Sequence, residues 1–514
     1  MPWIAAGGAL AVVMSTVGAG PGLADTRPRT GVPATVSADA LPTVQIDGVV
    51  WSQTVVGSTV YAGGHFTAAR PAGAAPGTRT VARSGLLAYS LSTGALVTSF
   101  APRLNGQVLA VVASPDRKRL YVAGEFTTAN GLARRRIAAF DTATGRLVTS
   151  FAPALDFRAR ALVATNTTVY VGGAFSTANG VQRTRLAASS AATGNLLRWA
   201  PAATGQVLSM VLAPGGGSVV VGGQFTTLAG RAAYGLGAVD PTTGAAKPFA
   251  ANAIVRDAGV NSGITSLTTD GRYVYGTGYV FGPGGNVEGA FAASPTGSLA
   301  WLEDCHGDTY AAAPVAGVLY TVGHAHDCAT LGAFPDTSPR TYHRALAFTT
   351  ARTGVLLHNT QSRYADFGGR PAPSLLTWFP DLAVGTFTGQ SQAAWTVSAT
   401  AGYVLLGGEF TAVNGTRQQG LVRFAVSALA PNRQGPMAAT ADLAVTTTVL
   451  APNQLQLRWK TTWDRDNERL TYTVRRTDPA GPRQVYDASF TSHPWRLAIG
   501  GFTDTGVLHG HTYT

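Results

Sequence analysis

The chain has 514 residues, of which 45% are hydrophobic and only 12% charged, with 62 glycines and 28 prolines. This composition is typical of many short strands joined by tight turns and excludes a helix-rich protein. The net charge of +12 comes almost wholly from arginine. Arginine clusters such as Arg134–Arg136 either meet an acidic polymer or lie on a solvated surface. Nucleic-acid binding is not expected, because no basic motif interleaved with aromatic residues is present.

The N-terminus has the features of an export signal. Residues 1–24 contain an apolar run, Trp3–Val17, that is too short and too glycine-rich for a transmembrane span, followed by the small-residue cleavage site Gly22–Ala24. No Lys or Arg precedes the run, which leaves open a start codon further upstream. Residues 25–43 predict a flexible leader. No later stretch is apolar enough to span a membrane, so a secreted or cell-surface protein is expected.

A seven-residue phrase recurs along the chain, and most copies carry a Gly-Gly pair and a closing Phe. The full copies are Val60–Phe66, Leu120–Phe126, Val169–Phe175, Val219–Phe225 and Val404–Phe410, and shorter ones are Val274–Gly278 and Leu319–Gly323. Their last core glycines stand at positions 64, 124, 173, 223, 278, 323 and 408. Periods of about 40–50 residues built of short strands indicate a β-propeller. Seven copies predict seven blades over residues 44–434.

One period shows how a blade is built. Four strands are predicted at Gln107–Ser114, Arg119–Phe126, Arg135–Asp141 and Leu147–Phe151. The glycine pair is expected to permit close approach of a neighbouring backbone, and the Phe to fill the wedge between blades. The last copy lacks a clear fourth strand. We therefore expect residues near Leu41–Ile46 to complete or cover the last blade, which avoids an open edge.

The repeated pattern, with its Asn-Gly and Asp-x-x-Thr-Gly turns, resembles the delta-60-type repeat propellers of secreted bacterial proteins. The resemblance covers roughly Val44–Gln434. It implies architecture and export, and it supplies no activity.

After Pro436 the pattern changes to that of a β-sandwich. Strands are predicted at Asp442–Val449, Gln454–Lys460, Leu470–Arg476 and Trp495–Ile499. Trp459 and the closing phrase Leu508–Tyr513 resemble a fibronectin type III or immunoglobulin-like domain. That phrase normally opens the sixth of seven strands, so residues 437–514 are expected to be a sandwich truncated at its C-terminus, in a fragment of a longer protein.

The sharpest constellation of polar residues lies in the sixth copy, in the segments Asp304–Asp308 and His324–Cys328. Cys305 and Cys328 are the two cysteines of the chain. A two-residue turn at Ala316-Gly317 would place them directly opposite one another in a hairpin, where a disulfide can form. An exported protein favours that disulfide over free thiolates that bind zinc.

The same hairpin gathers histidines and carboxylates that admit three interpretations. The residues are His306, Asp308, His324, His326 and Asp327. His306, Asp308, His324 and His326 are candidate ligands of a divalent metal, and no other cofactor is expected. Alternatively, these groups hydrogen-bond the loops, or a His/Asp pair serves as general acid and base.

Two insertions beside this hairpin are rich in aromatic residues. Ala329–Arg344 contains Tyr342 and His343, and His358–Gln390 contains Trp378. Aromatic loops on one propeller face can stack on a sugar ring or bind a peptide. The alternative is a small satellite core under a long loop.

The first functional hypothesis is therefore a non-enzymatic recognition, adhesion or scaffold protein. It would bind an extracellular glycan or protein through the loops of the sixth blade and act as a monomer. The second is a secreted polysaccharide hydrolase or lyase that uses the His/Asp cluster, although no catalytic residue is assigned. The third is a structural spacer that presents a missing C-terminal domain.

Overall fold

The computed structural model describes residues 28–430, 434–437, 443–478 and 481–513, so the predicted signal peptide lies outside the described residues. The chain divides into two compact units, Met1–Val32 with Pro431–Thr514, and Pro33–Ala430. The described parts of both are all-β and consist of small antiparallel sheets. No helix in the described part of the chain is long and apolar enough to cross a membrane.

Seven main sheets follow one another through residues 33–430, all of which are described, and each begins with a hairpin of two long strands. We number them main sheets 1 to 7. Their strands are Val49–Val56, Thr59–His65 and Leu86–Ser90 (sheet 1); Val108–Ala113, Arg119–Gly124 and Ile137–Asp141 (sheet 2); Ala159–Ala164, Thr168–Gly173 and Leu186–Ser190 (sheet 3); Val207–Leu212, Val219–Gly223, Leu236–Val239 and Ala246–Lys247 (sheet 4); Ser262–Thr269, Val274–Val280, Ala290–Ala293 and Leu299–Glu303 (sheet 5); Thr309–Val315, Val318–Ala325, His343–Thr349 and Leu375–Leu376 (sheet 6); and Ala394–Ala399, Tyr403–Gly408 and Leu421–Ala425 (sheet 7).

Short sheets lie in the loops between these strands. They join Gln45–Ile46 with Ala68–Arg70 and Val81–Ala82; Thr128–Ala129 with Leu132–Ala133; Thr177–Ala178 with Val181–Gln182; Thr227–Leu228 with Arg231–Ala232; Gly354–Val355 with Pro371–Ala372; and Leu382–Ala383 with Ala412–Val413 and Thr416–Arg417. Single turns of 3-10 helix occur at Pro214–Gly216, Ala250–Ala253 and Ala329–Leu331.

The predicted fourth strand is shorter than expected in the early repeats. In main sheet 2 it consists of one bridge, between Phe140 and Leu147. The reason is local: the Phe151 amide donates to the Val148 carbonyl at 3.3 Å, so the chain turns away from the sheet soon after the bridge. Main sheets 1 and 3 have an equivalent single bridge, and only main sheets 4 to 6 have a fourth strand.

In main sheet 7 the segment before the first repeat takes the place of a fourth strand. Leu41 pairs with Arg423, and the Ser37 amide donates to the Ala425 carbonyl at 2.9 Å. The expected pairing of this segment with the last sheet is therefore present. Part of the stretch assigned above to a flexible leader is instead ordered, because residues 36–39 are buried and hydrogen-bonded against this sheet.

Neighbouring main sheets share hydrophobic cores. The first strand of each sheet packs against the first strand of the next, and that of sheet 7 packs against that of sheet 1. Buried apolar clusters join sheet 1 to 2, 2 to 3, 3 to 4, 4 to 5, 5 to 6 and 7 to 1. All seven first strands line one cavity of about 510 Å³.

The recurring glycine pair is explained by two close contacts. A Cβ atom at Gly172 would lie 2.5 Å from the side chain of Val207, in the first strand of the next sheet, and one at Gly407 would lie 2.7 Å from Val50. A Cβ at the second glycine, as at Gly173, would overlap a backbone carbonyl of its own sheet. The predicted close approach of a backbone is found at the second glycine, whereas the first glycine makes room for a side chain of the next sheet.

The C-terminal unit contains two sheets among its described residues. Thr446–Ala451, Gln454–Lys460 and Ile499–Asp504 form one sheet, and Arg469–Asp478 pairs with Gly481–Thr491 in the other. The strand Gly481–Thr491 was not predicted, and the last strand begins at Ile499 and not at Trp495. Trp459 is 6% exposed and packs against Tyr486, with ring centroids 5.5 Å apart.

The glycine contacts lead to a stability prediction for main sheet 4. Gly223→Ala should lower the free energy of unfolding by about 1–3 kcal/mol, because the added methyl group overlaps the Gln206 carbonyl and no side chain can yield to it. Thermal and chemical unfolding of the full chain measure this loss. Gly217→Ala is the matched control, since its Cβ would have no atom within 4 Å. Equal stability of the two variants would contradict this account of the repeat.

Candidate functional site

The hairpin that begins main sheet 6 carries the polar segments singled out above. Val315 pairs with Val318 across the Ala316-Gly317 turn, as predicted. The register shifts once, between Thr309 and Ala311, and is restored where His306 pairs with Asp327. This places Cys305 opposite Cys328, with Cα atoms 4.2 Å apart, and the predicted disulfide is present.

His306 is the centre of a buried polar group. Its Nδ1 lies 3.2 Å from the Asp327 carboxylate, and its ring stacks on Tyr364 with centroids 3.7 Å apart. Its Nε2 lies 3.9 Å from Oδ2 of Asp304. Both of these last two atoms are buried and have no hydrogen-bond partner among the described residues. His306 is thus oriented from one side by Asp327 while its other nitrogen is unused by the protein.

His324 and His326 lie on either side of Tyr342. Nδ1 of His324 is 3.0 Å from the Tyr310 hydroxyl, and Nε2 of His326 is 3.3 Å from the Tyr364 hydroxyl. Burial lowers the pKa of each histidine to about 4, with nearby cationic arginines adding to the effect. Both rings are therefore neutral at neutral pH. Only His326 approaches His306, through their shared neighbour Tyr364.

The four candidate metal ligands do not converge. Within the described ranges, the only three potential ligand atoms that lie within 4.8 Å of one another belong to Glu303, Cys305 and Cys328. Both cysteines are in the disulfide and offer no thiolate. The arrangement of His306, Asp308, His324 and His326 thus lends no geometric support to the metal-binding interpretation.

The remaining predicted residues occupy different surroundings. Asp308 accepts a hydrogen bond from the Val280 amide at 3.3 Å, and burial raises its pKa to about 6. Tyr342 is 44% exposed, between the rings of His324 and His326. His343 packs against Phe334, with ring centroids 4.1 Å apart, and burial lowers its pKa to about 4.

Trp378 is not available to a ligand. Its side chain is fully buried, and its ring packs between Tyr320 and Phe424 at centroid distances of 5.0 and 5.3 Å. Its indole nitrogen points to the Ser37 carbonyl at 3.5 Å. The expectation that Trp378 contributes to binding is corrected: this part of the insertion belongs to the core between main sheets 6 and 7.

A pocket of about 440 Å³ lies beside His306, and most of its lining residues were not predicted. It is lined by the loop after Val274–Val280, by Glu288 and Asp304, by His306, and by Tyr364 of the second insertion. Phe281 is 70% exposed at this pocket. The sequence signal for Asp304 and Tyr364 was their place in the hairpin segment and the insertion. Glu288 had no signal, because it is brought here only by the packing of main sheet 5 on main sheet 6.

Buried carboxyl groups surround this pocket. Burial raises the pKa of Glu288 to about 7, although Oε2 of Glu288 accepts a hydrogen bond from the Gly307 amide at 2.6 Å. Burial, with repulsion from Glu288, raises the pKa of Asp304 to about 7. Groups that titrate near neutral pH can both donate and accept a proton, and they concentrate at functional sites.

Loss of the disulfide should destabilise the protein. Cys328→Ser is expected to lower the free energy of unfolding by about 2–4 kcal/mol, because the unfolded chain is no longer constrained. Thermal unfolding with and without reductant measures the effect. Cys305→Ser should produce an equal loss, and the double variant no further loss. An unchanged melting temperature under reducing conditions would contradict a stabilising disulfide.

The buried carboxyls also predict how stability depends on pH. Burial raises the pKa of Asp257 and of Glu303 to about 8. In the unfolded chain both are ionised above pH ~5, so between pH ~6.5 and ~8.5 the native state binds more protons and its stability falls with rising pH. Each group should contribute roughly 1–2 kcal/mol to that fall. Melting temperatures across this range should decrease, and Glu303→Gln should reduce the slope. An unaltered slope would show that Glu303 is ionised in the native state.

No protein-family model matches the chain, and no curated protein matches it either. Among solved structures, the crystal structure of the computationally designed Ika8 protein aligns with 76% of this chain and 100% of its own length. The two share 13% sequence identity with a TM-score of 0.42. A similarity this distant carries no argument about fold or function.

Proposed function

We propose that this protein is an exported binding protein that holds a neutral glycan in the pocket beside His306. One observation carries the proposal: His306 and Asp304 line the pocket, and the buried atoms Nε2 of His306 and Oδ2 of Asp304, 3.9 Å apart, have no hydrogen-bond partner among the described residues. Buried polar atoms without partners are costly. A ligand hydroxyl that lies about 2.8 Å from each atom would satisfy both.

The protonation states of Asp327 and Asp304, on the two sides of His306, are compatible with a ligand hydroxyl group. Hydrogen bonds from His306 and the Ala329 amide lower the pKa of Asp327 against the opposing effect of burial, so Asp327 is an ionised acceptor for Nδ1–H. In the tautomer that carries its only proton on Nδ1, His306 offers Nε2 as an acceptor. When Asp304 is protonated, it donates to the hydroxyl oxygen while the hydroxyl donates to Nε2. Each partner is satisfied by one sugar hydroxyl.

The pocket also offers an apolar surface for a sugar ring. Phe281 and Pro283 lie at one wall, and the ring of Tyr364 is fixed at another by its stacking on His306. The carboxyls of Glu288 and Asp304 line the pocket together with the cation Arg363, so the lining offers an anionic ligand no excess of positive charge. A volume of about 440 Å³ is within the usual range of small-molecule sites.

The proposed architecture is a seven-bladed β-propeller followed by a fibronectin type III-like sandwich. Four features support the propeller: the seven-fold repeat, the packing of each main sheet on the next, the packing of sheet 7 on sheet 1, and the shared cavity. The sandwich is supported by the two small sheets of the C-terminal unit and by buried Trp459. The delta-60-type repeat family remains a resemblance on which the propeller proposal partly rests.

Export is proposed from two independent features. Residues 1–24 have the pattern of a signal peptide, and Cys305 and Cys328 form a disulfide, which persists in oxidising compartments.

A second candidate function is hydrolysis or elimination on a polysaccharide. The observation that favours it is the pair Glu288 and Asp304, two carboxyls at one pocket whose pKa values lie near 7. One such group can protonate a leaving oxygen while the other accepts a proton.

The binding proposal is tested by screening the full secreted protein on an array of neutral glycans and measuring the best ligand by calorimetry. Phe281→Ala should weaken binding about tenfold by removing the exposed ring, and Asp304→Asn should weaken it by a similar factor. Phe387→Ala is the matched control, because Phe387 is 47% exposed and lies outside the pocket.

Each outcome of this experiment decides between the candidates. Binding that is lost equally in the Phe281 and Phe387 variants would contradict the pocket as the site. New reducing ends or unsaturated products that disappear with Glu288→Gln, while binding is retained, would favour the enzyme. No neutral glycan bound by the wild-type protein would leave the spacer hypothesis and refute the proposed function.

A further inference from the structure

The seven first strands share a feature that the sequence repeat does not reveal. Each has a β-bulge near its start, where the second, third or fourth residue is skipped in the pairing with the second strand. A bulge re-aims a side chain and is frequent next to functional sites. The skipped residues are Trp51, Leu109, Arg160, Leu208, Thr265, Tyr310 and Trp395, and all seven line the shared cavity. We call them the bulge ring.

Three adjacent members of the bulge ring form an aromatic wall. The rings of Trp51 and Trp395 have centroids 5.3 Å apart, and those of Tyr310 and Trp395 are 4.3 Å apart. Their polar atoms are already engaged by the protein: the Trp395 indole N–H donates to Glu409 at 3.0 Å, and the Tyr310 hydroxyl contacts His324. These hydrogen bonds hold the rings in place. The aromatic surfaces at the cavity therefore need no further hydrogen-bond partner.

Arg160 lies across the bulge ring from this wall, and it is the one charged residue among those that line the cavity. In residues 33–430, which are all described, it forms no ion pair or hydrogen bond, and its Nε is buried without a partner. The charge of Glu125 acts on Arg160. The Glu125 carboxylate forms its ion pair with Arg158, however, with Nε and Oε1 3.4 Å apart. A guanidinium remains charged under all ordinary conditions, so Arg160 presents to the cavity a positive charge that is not held in an ion pair.

We propose that this cavity binds an acidic sugar, with its carboxylate on Arg160 and its ring against Trp51, Trp395 and Tyr310. The guanidinium offers a planar fork of donors that matches a carboxylate, and the aromatic wall suits the apolar face of a pyranose. The cavity volume of about 510 Å³ accommodates such a ring. The net charge of +12 attracts an acidic polymer from a distance. This site is separate from the pocket beside His306 and does not depend on the function proposed there.

The test measures binding of galacturonate and glucuronate to the full chain by calorimetry, with galactose and inorganic sulfate as comparison ligands. At least one uronate should bind about tenfold or more tightly than galactose, because galactose lacks the charged group. Arg160→Gln should abolish this preference. Arg198→Gln is the matched control: it removes an equal charge from an exposed residue that does not line the cavity. It should leave the affinity within about twofold.

Additional variants keep the outcome decisive. Trp51→Leu should weaken uronate binding about fivefold or more through loss of the stacking surface, while Phe281→Ala should have no effect. The melting temperature of each variant shows whether it is folded. Arg160→Gln should melt no lower than the wild type, because the substitution removes a buried charge that has no ion-pair partner. The proposal is overturned if neither uronate binds, if Arg160→Gln retains the preference, or if sulfate alone binds as tightly as the uronates.

Discussion

The close approach of each main sheet to the next is the constraint on which the rest of this structure depends. In main sheets 1, 3, 4 and 7 it requires a glycine in the second strand, where a side chain of the following first strand is inserted, as at Gly172 and Val207. The same contact recurs between Gly407 and Val50, so the last sheet packs on the first through the same kind of contact. Because each sheet buries one face on each neighbour, the burial needed by a chain of this length is divided among similar modules.

One part of the interior departs from this regular packing. Most of the interior is apolar, but where main sheets 5 and 6 meet, several carboxyl groups and histidines are buried together. Glu303 is 1% exposed and accepts hydrogen bonds from the Ala290 and Cys305 amides, which compensates part of the cost of its burial. The disulfide between Cys305 and Cys328 links the two sides of the hairpin that begins main sheet 6. Local departures from an otherwise consistent pattern are expected at functional sites, because a stable core alone would not maintain them.

Both proposed binding sites lie where side chains or loops differ between the repeats. The repeat places one bulge in each first strand, and the backbone geometry is therefore shared seven times. The side chain at each bulge is not shared: aromatic rings stand at one part of the ring and Arg160 at another. The pocket beside His306 depends instead on the loop after Val274–Val280 and on the second insertion, His358–Gln390. The backbone feature is repeated, and the proposed chemistry lies where the side chains differ between repeats.

Local periodicity was enough to locate the strands and turns from the amino-acid sequence. The glycine-pair phrase located the hairpin of every main sheet, and the turn at Ala316-Gly317 set the register that joins Cys305 to Cys328. Strand alternation and turn chemistry act over a few residues, so they are legible in a single chain. The tertiary structure alone decided which long-range neighbours meet. It buried Trp378 between two sheets, and it brought Glu288 to Asp304, because contacts between distant segments depend on packing and leave no local pattern.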